Sequence, residues 1–241
     1  MSRGMRLGLS AGVAVAGVVA VTAAVAAGVV YQKTTDFAGY DFSSAKVTVI
    51  SARFTVPTVT CKGNLSGVGP GAFIVDDFKV VVKGVVKKEA GLTGSGLIVA
   101  CLHGGPTYQL ATAVNGSEIN SAYVKAGHVI LVEAHVTAKA SSVTIRDLSS
   151  TLKESQTGKG GQTSYVSIGT AAILVGKVQV GIDKFTPVTF TDVSVQDRPL
   201  SRWKPYAVER YRGTLAHPVI QIRPGALTHG GESFTLNYVT S

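Results

Sequence analysis

The chain has 241 residues, 45% of them apolar and only 15% charged, with two cysteines. That length holds one large β-domain or two small ones with a sizeable core, and so little charge is unusual for a cytosolic enzyme and typical of secreted β-proteins. Two cysteines exclude a structural zinc site of the four-cysteine kind, and the net charge of +9 suits an anionic partner, lipid or cell-surface polymer, unless it is merely solvated surface.

Residues 1–30 read as a targeting segment. Arg3 and Arg6 precede an uncharged run from Leu7 to Tyr31 dominated by Ala, Val and Gly. The small residues Ala23-Ala24-Val25-Ala26-Ala27 suit signal-peptide cleavage, and the run is also long enough to stay as an anchor, an apolar helix of about 20 residues. In either case the charges come first, so the rest of the chain is expected outside the cell or at its surface. An oxidising compartment lets Cys61 and Cys101 pair. Closing that loop would stabilise the fold by about 4 kcal/mol; two buried free thiols are the alternative.

Beyond residue 35 no long amphipathic helix is predicted. Short alternating or β-branched runs recur instead: Lys46–Val56, Val80–Val86, Gly96–Cys101, Tyr108–Val114, His128–Thr137, Ser142–Asp147, Thr170–Val175, Val188–Val195, Val219–Arg223 and Ser233–Val239. Gly-, Pro-, Asn- and Ser-rich clusters separate them, among them Gly67-Val68-Gly69-Pro70-Gly71, Asn115-Gly116-Ser117 and Gly158-Lys159-Gly160-Gly161. Many short strands between turn signals predict an all-β sandwich or barrel. No fixed-period repeat and no linker divides it, so residues 36–241 are expected to form a single domain. On His128–Thr137, period 2 puts Ile130, Val132, Ala134 and Val136 on one side and a mixed face, with Glu133 and His135, on the other.

Several segments, in order, resemble the glutamic peptidases (eqolisins). Phe37-Ala38-Gly39-Tyr40 is similar to the family's Trp-Ala-Gly-Tyr opening, and Ala52 to Cys61 to its strand ending in a Val-Pro step with a cysteine soon after. Ala90-Gly91-Leu92 with Cys101 and Gly104 to Tyr108 resembles the block carrying the partner cysteine. Val124 to His128, Val188-Thr189-Phe190-Thr191-Asp192 and Leu227 to Tyr238 resemble later strands. The similarity spans about residues 36–239. It implies a concanavalin A-like (jelly-roll) sandwich of two antiparallel sheets.

The family's chemistry needs a glutamate as general base and a glutamine that positions substrate and stabilises the oxyanion. The strand matching the glutamate reads Ala171-Ala172-Ile173-Leu174-Val175-Gly176, with Ala172 at the base position, and no glutamine stands in Gly67–Gly71 before Ala72-Phe73-Ile74-Val75-Asp76-Asp77. An alanine cannot move a proton. Among Gln109, Glu118, Glu133 and Gln162, the carboxylates Glu118 and Glu133 are the fallback candidates. Glu133 and His135 share a strand face, as an acid–base pair, half a metal site or two solvated residues.

The five histidines lack metal-ligand spacing, and no nucleophile elbow, phosphate loop or dinucleotide fingerprint occurs. No cofactor, metal or nucleic acid is therefore expected. Lys79, Lys83, Lys87 and Lys88 flank a Val-rich run, and the basic-aromatic segment 197–213, with Trp203 between Arg202 and Lys204, is where the family likeness is poorest. It reads as a surface loop or as a stacking site. Phe37, Tyr40, Tyr108 and Trp203 are the candidate ligand-binding aromatics. The leading expectation is a non-catalytic relative binding a peptide, a glycan or an envelope component; an active divergent acid endopeptidase and a structural envelope protein, retained through residues 7–30, are the alternatives.

Overall fold

The computed structural model describes residues 31–61, 66–82, 85–102, 105–171, 174–175, 178–179 and 183–239. The expected targeting segment, residues 1–30 with their apolar helix, and Ala172 lie outside the described residues. The strands in chain order begin with β1 (Tyr31–Thr34), β2 (Phe37–Ser43), β3 (Val49–Thr55), β4 (Val59–Thr60), β5 (Ser66–Val82) and β6 (Val85–Leu102). Next come β7 (Gly105–Val114), β8 (Ser117–Tyr123), β9 (Val129–Val136), β10 (Ala140–Asp147), β11 (Lys153–Lys159), β12 (Gln162–Ala171), β13 (Leu174–Val175) and β14 (Val178–Gln179). The chain closes with β15 (Lys184–Phe185), β16 (Val188–Val195), β17 (Arg198–Pro199), β18 (Tyr206–Gly213), β19 (Pro218–Pro224) and β20 (Phe234–Tyr238).

Hydrogen bonding runs in one path, β11-β10-β9-β3-β16-β20-β19-β18-β2-β12-β5-β6-β7-β8. The path folds back on itself, so that β9 and β10 from its first half lie against β5, β6 and β7 from its second. The result is an antiparallel β-sandwich, as the strand pattern predicts. Only β1, paired with β18, runs parallel to its neighbour among the described strand pairs.

Between the layers sits the core that the alternation requires. Ile130, Val132, Ala134 and Val136 of β9 are all buried, while His135 is exposed. Phe190 stacks on Phe234 at 4.8 Å, with Phe54 tilted against Phe190 and Tyr40 edge-on to Phe234. Side chains of this kind each stabilise the fold by about 1.5–3 kcal/mol when fully buried. A carboxylate is enclosed with them: Asp76 takes hydrogen bonds from Thr93 Oγ1 (3.1 Å), Asn115 Nδ2 (2.9 Å) and Ser141 Oγ (3.3 Å). Those partners come from β6, the β7–β8 turn and β10, so Asp76 ties the two layers together. Cys61 and Cys101 form a disulfide with Cα atoms 5.6 Å apart, joining the segment after β4 to the end of β6.

Three local expectations change. Val80–Val86 is not one strand: β5 ends at Val82 and β6 starts at Val85, the two sides of a long hairpin. Gly67–Gly71 is not a turn but lies inside β5. Segment 197–213 is not a surface loop. It forms β17, a short 3-10 turn (Leu200–Trp203) and β18, a strand inside the sheet between β19 and β2.

Candidate functional site

The register of the second layer defines one outward face. Going across it, Tyr206 pairs with Asp41, Asp41 with Ser167, Ser167 with Phe73, Phe73 with Gly94, Gly94 with Ala113 and Ala113 with Glu118. Two residues along each strand, hence on the same face, lies a second row: Gly39, Gly169, Gly71, Gly96 and Ala111. Almost every position in the middle of this face is a glycine or an alanine. The consequence is a trough where side chains would otherwise stand.

Two phenylalanines lie down in that trough. A Cβ on Gly94 would meet Phe73 Cδ1 at 2.7 Å, and one on Gly71 would meet Phe73 Cζ at 2.6 Å. Likewise a Cβ on Gly39 or Gly169 would meet Phe37 Cζ at 2.8 Å. At all four positions the nearest atom is a carbonyl oxygen of the neighbouring strand, at 2.1–2.5 Å, so no side chain fits there, and its absence lets the aromatic ring rest on the sheet. Beside Phe73 the surface opens into a small cleft of about 30 Å³, lined by Gly69, Phe73, Leu92, Gly94, Gly96, Leu97, Ile98, Ala111, Thr112, Ala113, Glu118 and Ala171. Its walls are apolar, and Glu118 is the one titratable side chain among these lining residues.

The site candidates divide between several places. Glu118 reaches the cleft, whereas Glu133 stands with His135 on β9, in the other layer. Phe37 shares the face of the cleft, opposite Ala171. Tyr40 is buried in the core with its hydroxyl donating to the Gly225 carbonyl at 2.8 Å. Tyr108 is also buried, its hydroxyl accepting the Val59 N–H at 3.3 Å. Trp203 stacks on buried Phe42 at 5.6 Å and donates Nε1–H to the Val195 carbonyl at 3.1 Å. Gln109 belongs to the cleft's face, but four residues separate it from Ala113, the partner of Glu118. That is about 14 Å along the strand. Gln162 pairs with Asp77 at the start of β12.

At the far end of the first row is a group that the motifs did not single out. Asp41 is 5% exposed, its Oδ2 accepts the Tyr165 hydroxyl at 2.8 Å, and that hydroxyl touches the hydroxyl of Tyr206. Burial pushes the Asp41 carboxyl up to about 7, and hydrogen bonds from Tyr165 and Ser167 offset only part of that. Both tyrosines are pushed up too, chiefly by burial, with the Asp41 charge adding to the effect. Period-2 arithmetic places Asp41, Ser167 and Tyr165 outward. Which strands adjoin is what the sequence does not say.

These elements make a β-sandwich with an apolar trough on one outer face and a buried carboxylate at its edge. The Peptidase A4 family model matches residues 35–205, and the chain belongs to that family. Among solved structures it is similar to scytalido-glutamic peptidase in complex with a transition-state analog inhibitor, at 15% identity and a TM-score of 0.65, covering 85% of this chain and 98% of that one. It is also similar to SCP-B, a member of the eqolisin family solved with the tripeptide Ala-Ile-His, at 16% identity and a TM-score of 0.62, with the same coverage. No curated protein matches.

Proposed function

We propose that this is a secreted or surface-exposed glutamic-peptidase-like domain that holds a peptide on its outer face without cleaving it. The reading takes the sandwich to be concanavalin A-like, with the trough as its ligand surface. One observation carries it: the cleft is lined by small and apolar residues with Glu118 as the one carboxylate and no glutamine among them. Alanine at position 172, where the resemblance puts the base, points the same way. Hydrolysis of a peptide needs a base that activates water and a donor for the oxyanion within about 3 Å of the reacting atoms. Across the strand pair Glu118 faces Ala113 rather than a glutamine. SCP-B, solved with a tripeptide, supports a peptide over a glycan as the ligand, as does the apolar floor.

Glu118 itself favours a second reading, an acid endopeptidase whose base has moved to β8. One experiment separates the two. The protein is incubated with an unfolded protein substrate from acid to neutral pH, and binding of labelled peptides is measured in parallel. Peptide binding without turnover supports the binding reading. Acid-optimal cleavage that Glu118→Gln abolishes, while peptide binding persists, overturns it in favour of the enzyme.

A further inference from the structure

The long β5–β6 hairpin outruns its sheet. β12 pairs with β5 only as far as Asp77, and β7 pairs with β6 only from Gly94 onward. Beyond them Phe78–Val82 and Val85–Glu89 pair with each other and with no other strand among the described residues. Five residues of strand amount to an arm about 17 Å long. Its register puts Lys79 directly opposite Lys88, Val80 opposite Lys87, Val81 opposite Val86 and Val82 opposite Val85. Like charges directly across a pair destabilise a ribbon. Val85 and Val86 are 58% and 61% exposed.

We propose that this arm is a contact site for anionic lipid, with Val85 and Val86 entering the headgroup region and the lysines meeting phosphate. Charge complementarity selects the occupant: the described strands of the arm, residues 78–82 and 85–89, hold three lysines and one glutamate. Lysines on an exposed ribbon also block edge-to-edge aggregation, but that role does not account for adjacent exposed valines, which make aggregation easier. A soluble anionic polymer would satisfy the lysines and leave the valines in water. A bilayer surface satisfies both, since apolar side chains sink into the interface while basic ones bind its anionic headgroups. Val86 lies on the opposite face of the ribbon from Val85, so the tip enters end-on rather than lying flat.

The test uses the full chain and a local readout, because the apolar run in residues 7–30 would by itself bring the protein to lipid. Both native cysteines are in the disulfide, so Val86→Cys can carry a polarity-sensitive fluorophore, with Ala216→Cys in the exposed β18–β19 connection as the control. With phosphatidylcholine vesicles containing phosphatidylglycerol, the label at 86 is expected to shift to the blue while that at 216 does not. Each lysine changed to glutamine at 87 or 88 should weaken the lipid-dependent shift about fivefold in lipid concentration. With vesicles, any of three results overturns the proposal: no shift at 86, equal shifts at 86 and 216, or the same shift with pure phosphatidylcholine. A shift with soluble polyglutamate in place of vesicles overturns it in favour of an acidic polymer.

Discussion

Asp41→Asn tests whether the buried carboxyl governs how stability depends on pH. In the fold, burial raises the group from 3.8 to about 7. The native protein therefore holds a proton that the unfolded chain has already released between about pH 4 and pH 7, and stability falls as pH rises through that window. A displacement of this size is worth about 4 kcal/mol at its full extent, since one pKa unit is 1.36 kcal/mol. That is a large share of a domain stability of about 5–15 kcal/mol. Asparagine cannot ionise, so the variant loses this site's slope. Urea unfolding of wild type and variant at constant ionic strength, from about pH 4 to pH 8, measures it. The variant is expected to match or fall slightly below the wild type near pH 4, and to gain on it by a few kcal/mol near pH 8. A variant at least as destabilised at pH 8 as at pH 4 would refute the reasoning. Asp76, also raised by burial, gives the same sign, so the variant keeps a weaker slope.

Asp147 should behave in the opposite sense. Burial alone would raise it, but hydrogen bonds from Ser150 (2.7 Å), His128 (2.7 Å) and the Ser149 N–H (2.9 Å) win and hold it low; Asp147→Ala should cost about 1–3 kcal/mol near neutral pH, a deficit that shrinks below the ordinary carboxylate range in the same unfolding assay. Replacing both Cys61 and Cys101 by serine removes a closed loop of sequence separation 40 and should cost about 4 kcal/mol, with reductant lowering the wild-type midpoint towards the variant's. Gly94→Val drives a side chain into Phe73, 2.7 Å away at its nearest ring atom. It should destabilise by about 1–3 kcal/mol and abolish labelled-peptide binding, whereas Glu133→Gln, in the other layer, should leave binding unchanged.

Much of the fold was legible because burial imposes its period on composition. β9 is the clear case: the sequence expectation of His128–Thr137 and the observed Val129–Val136 differ by one residue at each end, and the expected inner face is the buried one. The Asn115-Gly116 turn was equally plain, since both residues adopt positive φ (52° and 76°), which Asn and Gly tolerate better than other residues. β11 was missed because its sequence, Lys-Glu-Ser-Gln-Thr-Gly-Lys, has no buried side chain to mark a face. β5 and β6 were cut short for the reverse reason. Their glycines look like turn punctuation, yet at positions 71 and 94 they are strand residues kept small by the neighbouring strand's carbonyl and by the Phe73 ring lying across them.

The site was less legible than the fold, and the cause is register. Glu118 and Glu133 are both carboxylates that the sequence offers as fallback bases, Glu118 just past the Asn115-Gly116-Ser117 turn, outside any expected strand, and Glu133 on an expected strand of mixed face. Only the pairing of Ala113 with Glu118, and of Ser51 and Thr144 with Glu133, assigns the first to the trough and the second to the other layer. The same holds for the aromatics: Tyr40 and Tyr108 sit one residue out of phase with the outward positions Gly39 and Gln109, and a one-residue step on a strand exchanges its two faces. Reading Phe37-Ala38-Gly39-Tyr40 as one motif therefore joined a residue of the trough to a residue of the core. Small residues, not aromatic or acidic ones, are what the trough leaves in the sequence. Gly39, Gly71, Gly94, Gly96 and Gly169 come from four strands scattered over 130 positions, and they become a feature only once those strands lie side by side.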